Sequence, residues 1–146
     1  MIYDKNNIKN FRFFVDSEKI DNRFAFTAVI PKNIKSKIEL MSILKEKLSL
    51  PDYFGENWDA LNDVLNDFMW IDEFSIFMIH EDLPSLPEKE LQVYLNILSR
   101  SVDEWKNLKK SEIAEFIGRK VSLHELVIFF PEIVQDKIED ILSEKK

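Results

Sequence analysis

The segment Leu50–Phe68, LPDYFGENWDALNDVLNDF, contains a row of aspartates at a regular spacing. Asp59, Asp63 and Asp67 recur every four residues, which places them on one side of a helix. The apolar residues between them fall on the opposite side. The pattern predicts an amphipathic helix that begins at Asn57, whose side chain can cap the first turn, and that presents its carboxylates to solvent.

This acidic face lacks the lysines and arginines that usually alternate with acids on an exposed helix. Like charges four residues apart destabilise a helix by roughly 0.2–0.5 kcal/mol, and Asp67, near the C-terminal end, opposes the helix dipole. Gly55 precedes the helix, and glycine permits either a positive φ or a close approach of the backbone to a neighbour. Two interpretations stay open here: a solvated surface after an ordinary turn, or a surface that binds a cationic partner.

Charge is unevenly distributed along the chain, whose formal net charge is -7. Residues 51–90 contain eleven Asp and Glu but a single basic residue, Lys89. Such a block repels nucleic acid, because contacts with phosphate require cations, and it accelerates encounter with a basic protein. We therefore expect no nucleic-acid ligand, and the block is either a solvated, solubilising surface or one that attracts a cationic protein partner.

The composition favours one soluble domain over residues 1–146. The chain is 45% hydrophobic and contains 12 Phe, which is enough for a core at this length. Cysteine is absent, which excludes disulfides and cysteine-ligated metals. The first ten residues lack the apolar region of a secretion signal, and no apolar run is long enough to span a bilayer. We expect a cytoplasmic protein without membrane contact.

Strand and helix patterns follow one another in the order strand, strand, helix, helix, strand, helix, strand, helix. This order favours an α/β layer with parallel pairing and right-handed crossovers. We expect the first strand to add antiparallel to the edge of the sheet, and residues 107–120 to form either a short helix or a loop. The strands are predicted at residues 10–16, 23–31, 73–80 and 124–130, and the helices at residues 36–48, 57–68, 85–105 and 131–146.

Two capping boxes mark predicted helix starts. Ser36 is followed three residues later by Glu39, and Ser85 is followed by Glu88. In such a box the two side chains satisfy backbone N–H groups that the first turn leaves free. Pro87 is expected inside the first turn of the second of these helices, where proline is well tolerated.

The segment LPDYFGENWDALNDVL, residues 50–65, resembles the signature of barstar-like proteins, L-P-x-Y-[YF]-G-x-N-x-D-A-L-x-D-x-L, and matches it without a gap. The best-matched core covers about residues 24–130, closely to residue 79 and more loosely beyond it. The resemblance implies a small, mainly parallel three-stranded sheet covered by helices, here with an added N-terminal edge strand and C-terminal helix. It also implies an inhibitor that is not an enzyme, needs no cofactor, and blocks the cationic active site of a small basic ribonuclease or related protein toxin.

The resemblance assigns contacts to individual residues. Tyr53 matches the loop tyrosine that packs on the enzyme, and Asp59 and Asp63 match the two aspartates that pair with its cations. Asn57 matches the asparagine at the helix start, which can serve as a cap or as a contact.

Three positions fit the family pattern less closely. Phe68 stands where the family example has a contacting tryptophan, whereas Asn62 replaces another tryptophan and Asp67 replaces a glycine. These departures from the family pattern therefore affect which target is bound more than they affect the fold. The expected partner-binding residues are Tyr53, Phe54, Gly55, Asn57, Asp59, Asn62, Asp63, Asp67 and Phe68.

Other functions remain as alternatives. The chain could be an immunity or regulatory protein that binds a cationic partner other than a nuclease. It could also be a hydrolase in which His80, at the end of a predicted strand, acts as a base oriented by Glu81 or Asp82. No nucleophile motif or phosphate-binding loop accompanies His80, so this reading is the weakest. A metal site is not expected, because a row of acids one helical turn apart does not converge on an ion.

Overall fold

The computed structural model describes residues 5–110 and 123–143. Its strands form one sheet in the order β1-β4-β3-β2, in which every neighbouring pair is parallel. The predicted α/β class is therefore confirmed, and the added N-terminal strand makes the sheet four-stranded. The strands are β1 (Phe11–Phe14), β2 (Ala25–Ile30), β3 (Ser75–His80) and β4 (Glu125–Pro131).

Strand β1 corrects one prediction, because it runs parallel to β4, with Phe11 beside Ile128, and not antiparallel. The two strands that are adjacent in sequence lie at opposite edges of the sheet. Residues 15–24 connect these edges, and Ile20 packs on the sheet face that carries Phe129. A crossover of this kind allows β1 and β2 to run in the same direction, whereas a hairpin between them would have made them antiparallel neighbours.

The helices begin near the predicted residues. Ser36 Oγ accepts a hydrogen bond from the Glu39 N–H at 3.1 Å, and Glu39 Oε1 accepts one from the Lys35 N–H at 2.7 Å. The third helix begins at Glu88, so the prediction that Pro87 lies inside its first turn is wrong by one residue. The helices are α1 (Lys37–Lys47), α2 (Trp58–Leu65), α3 (Glu88–Lys110) and α4 (Gln135–Ser143), with 3-10 helices at Lys5–Asn10, Ser17–Lys19 and Glu132–Val134.

The two faces of the sheet are covered unequally. Side chains alternate along each strand, so that Ile76 and Met78 enter the main core while Phe77 and Ile79 face the other side. Among the described residues, all four helices contribute to the main core, whereas the opposite face carries a small cluster around Ile79. No helix in the described ranges is long and apolar enough to cross a membrane. The expectation for residues 107–120 is tested only to Lys110, because residues 111–122 lie outside the described ranges.

Candidate partner-binding surface

Helix α2 is held at both ends by asparagines. Asn57 Oδ1 accepts a hydrogen bond from the Ala60 N–H at 2.8 Å, which confirms the predicted cap. At the other end, the Asn66 side chain donates to the carbonyl oxygen of Asn62 at 2.9 Å. The helix therefore has eight residues and ends at Leu65, before the third predicted aspartate.

The acidic row is shorter than the sequence pattern predicted. Asp59 and Asp63 are exposed on α2, one turn apart, whereas Asp67 is half-buried in the turn that follows. The Val64 carbonyl accepts hydrogen bonds from the N–H groups of both Asp67 and Phe68, at 3.1 and 3.3 Å. Phe68 then adopts a positive φ of 50°, which ends the helical conformation.

The loop before α2 exposes one aromatic ring and buries the next. Tyr53 is 72% exposed, whereas Phe54 is 5% exposed and belongs to the main core. Gly55 does not have a positive φ; the strained position is Glu56, with φ 54°. A Cβ atom on Gly55 would lie 3.3 Å from the side-chain nitrogen of Asn57, so the glycine permits the close approach of the capping side chain.

Phe68, one of the expected partner contacts, is fully buried and is therefore not exposed on the described surface. Its ring packs against Trp70 and Trp105, and its carbonyl oxygen lies 3.1 Å from His124 Nε2. Phe54 is buried in the same core, so neither ring can reach a partner unless the core opens. Both residues instead anchor the segments on either side of α2.

Met69 is a surface residue that the sequence interpretation missed. It follows the buried Phe68 and is 77% exposed. In the sequence the two residues form an apolar pair, and the pattern does not show which of them points inward. Its flexible side chain leaves apolar surface exposed two residues after Asp67.

The environment of His80 contradicts its proposed use as a base. The residue is fully buried and stacks on Phe130, with ring centroids 4.0 Å apart. Its Nδ1 lies 3.0 Å from the Phe129 carbonyl oxygen, and its Nε2 lies 2.7 Å from the Tyr94 hydroxyl. Because a carbonyl only accepts, Nδ1 carries the proton, and Nε2 accepts from the hydroxyl.

Burial also fixes the charge state of this pair. Desolvation lowers the pKa of His80 to about 4, opposed by the hydrogen bond to Phe129, so the imidazole is neutral near pH 7. The same desolvation raises the pKa of Tyr94 above its ordinary range, so its hydroxyl remains a donor. Glu81 and Asp82 are exposed and do not orient the ring. The hydrolase hypothesis therefore loses its base.

Two of the three indoles in the chain support the surface through hydrogen bonds to backbone carbonyls. The Trp105 N–H donates to the Leu65 carbonyl at 2.8 Å, which ties the end of α2 to α3. The Trp70 N–H donates to the Leu48 carbonyl at 2.9 Å, which ties the following turn to the end of α1. Trp58 packs against Tyr94, and Lys37 lies over its ring, so one cation does approach the start of α2.

The described residues hold no group of three or more His, Asp or Glu side chains that could bind a metal ion. The exposed side chains of this segment include the carboxylates of Asp59 and Asp63, the ring of Tyr53 and the side chain of Met69. We call Tyr53, Asp59, Asp63, Asp67 and Met69 the acidic surface.

A known protein family matches the segment of the chain that contains the acidic surface. No curated protein matches the chain. Residues 24–117, more than half of the 146 residues, match the family model of barstar, the barnase inhibitor. The match includes α2 and the acidic surface, whereas β1, β4 and α4 lie outside it. The chain therefore belongs to the barstar family.

Proposed function

We propose that this protein inhibits a small basic ribonuclease by placing its acidic surface in the cationic active site of the enzyme. Membership in a family described as barnase inhibitors supports an inhibitory role. The observation that carries the finer proposal is the exposure of Asp59 and Asp63 one turn apart on α2, where neither pairs with a cation of the described chain. Both charges are therefore available to an outside cation.

The inhibitory mechanism follows from the charges that a ribonuclease must bind. An enzyme that cleaves RNA holds phosphates with Lys, Arg or protonated His, and two carboxylates on a helix can occupy the same positions. Residues one turn apart have Cβ atoms about 5–6 Å apart, close to the spacing of successive phosphates along one strand. The surplus acid of residues 51–90 would draw the basic enzyme to this surface.

The acidic surface is supported from beneath, which favours tight binding. Phe54 and Phe68 anchor the two flanking segments in the core, and Asn57 caps the helix between them. Trp105 holds the last carbonyl of α2. A surface ordered before binding loses less conformational entropy on association. Tyr53 and Met69 would then exclude water around the charged pairs, as peripheral contacts do around a hot spot.

The direct test measures inhibition of RNA cleavage by barnase, and by any small basic ribonuclease captured from the native cell. Asp63→Asn should weaken inhibition by about 2 kcal/mol or more, which is about 30-fold. The matched control is Asp140→Asn, an exposed carboxylate on α4 that should leave inhibition unchanged. Equal inhibition by the wild type and Asp63→Asn would refute the assigned geometry.

A second candidate keeps the surface but changes the target. Asn62 and Asp67 depart from the family pattern, which suits an immunity or regulatory protein whose cationic partner is not a nuclease. Capture of such a partner, lost in a Tyr53/Asp59/Asp63 triple mutant and accompanied by no inhibition of any ribonuclease, would replace the first proposal with this one.

A further inference from the structure

A cavity of about 430 Å³ lies at the end of the sheet where β4 begins, and none of its described lining residues belongs to the acidic surface. Strand β4 extends three residues beyond β1, because Phe11 pairs with Ile128. Among the described residues, Glu125–Val127 therefore have no strand beside them on the β1 side. The 3-10 helix Lys5–Asn10 and the second half of α3 form the remaining walls.

The cavity concentrates positive charge in a chain whose net charge is -7. Lys9, Arg12 and Lys106 line it, and none of them forms an ion pair within residues 5–110 and 123–143. Lys106 Nζ donates to Asn10 Oδ1 at 3.2 Å, which holds the ammonium at the rim. Among the described lining residues Glu125 is the one carboxylate, so the formal charge of these residues has an excess of two positive units.

The other lining groups offer apolar surface. The Trp105 N–H is already bonded to the Leu65 carbonyl, so only ring carbon atoms are left to face the cavity. Both ring nitrogens of His124 lie within hydrogen-bond distance of backbone carbonyls. Val102 and Leu126 complete this wall. Ligand sites commonly combine a volume of roughly 300–1,000 Å³ with an apolar lining and a few convergent polar groups.

We propose that this cavity binds a small phosphorylated molecule of mononucleotide size. Its phosphate would lie among Lys9, Arg12 and Lys106, and its uncharged part would lie against Val102, Trp105 and Leu126. A phosphate monoester carries about -1.5 to -2 charge at pH 7, which balances the excess of two positive units, whereas a single carboxylate balances only half of it. Arg12 adds a planar fork that matches two phosphate oxygens.

Titration calorimetry with the four ribonucleoside 5′-monophosphates, inorganic phosphate and adenosine tests this site on the full chain. At least one nucleotide should bind with a Kd of about 1 mM or lower, and inorganic phosphate and adenosine should each bind at least about tenfold more weakly. No saturable nucleotide binding, or equal binding of inorganic phosphate, would overturn the proposal.

Charge variants locate the binding within the cavity. Arg12→Gln and Lys106→Gln should each weaken nucleotide binding by about fivefold or more, because each removes a charge-assisted contact from an exposed side chain. Lys89→Gln is the control, since Lys89 is exposed about 25 Å away along the same helix. Equal weakening in all three variants, or in none, would place the nucleotide elsewhere. Inhibition of a ribonuclease is not involved, so this result is independent of the proposed function.

Discussion

Protonation of His80 should destabilise the fold as the pH falls. The imidazole is buried and neutral, with Nδ1 donating to Phe129 and Nε2 accepting from Tyr94. Its folded-state pKa is about 4, compared with 6.5 for an ordinary histidine. The unfolded chain therefore binds the proton more readily than the folded chain between these two values. The contribution of His80 to stability is complete above pH 6.5 and is lost as the pH falls towards 4.

The magnitude follows from the difference between the two pKa values. One pKa unit corresponds to about 1.4 kcal/mol, so the complete loss is about 3 kcal/mol, of which about 2 kcal/mol is lost between pH 7.5 and pH 5. This loss is a substantial fraction of the free energy of unfolding of a typical folded domain, which is roughly 5–15 kcal/mol. Acidification alone should therefore lower the urea midpoint appreciably.

The assay compares urea unfolding of the wild type and His80→Asn from pH 7.5 to pH 5. Asparagine can keep the hydrogen bond to the Phe129 carbonyl and cannot titrate. It should be less stable at pH 7.5 but should lose about 2 kcal/mol less than the wild type on acidification. Both proteins retain His124 and all the carboxylates, so the difference isolates His80.

Proton NMR provides the direct measurement. The chain contains two histidines, so their ring resonances can be assigned with the His80→Asn variant. The His80 signal should not shift between pH 7.5 and pH 5. A His80 midpoint near 6.5, or parallel pH dependences for the two proteins, would refute the reasoning.

Three further expectations concern the acidic surface. Phe68→Ala should lower the free energy of unfolding in urea by about 3–5 kcal/mol, because a fully buried ring is removed; a change below about 1 kcal/mol would contradict its place in the core. Asn57→Ala should lower it by about 1 kcal/mol, whereas Asn57→Ser should retain most of the cap, and equal losses would argue against capping. The rate of association with a basic ribonuclease should fall steeply from 50 to 500 mM salt and less steeply for the Asp59→Asn/Asp63→Asn double variant; the same salt dependence in both would argue against steering by these charges.

Local patterns were sufficient to predict much of the surface. The Asn57 cap and the exposed positions of Asp59 and Asp63 depend on interactions within a few residues, and a sequence shows such interactions directly. The helical spacing wrongly predicted that the helix continues through Asp67 and Phe68. The end of α2 depends on the burial of the Phe68 ring against Trp105, a residue from a distant helix.

For His80, too, the local sequence and the tertiary structure lead to different conclusions. The sequence places His80 at the end of a strand beside two acids, where a catalytic base is plausible. Its hydrogen-bond partners are Phe129 and Tyr94, 49 and 14 residues away, and both are supplied by other elements. Desolvation by the assembled core then sets the pKa, and no local pattern contains that information.

The sequence by itself determined the alternation of strands and helices, the α/β class and the acidic helix, because backbone propensity and hydrophobic period act over short distances. Only the tertiary structure decided that β1 runs parallel to β4, at the edge opposite β2. That pairing brings a strand from the first part of the described chain beside a strand from its last part. Because β4 begins three residues before the position that pairs with Phe11, the arrangement also leaves room for the cavity. Strand partners are chosen by which apolar faces and free backbone edges meet in the folded chain, so they emerge only when distant segments pack together.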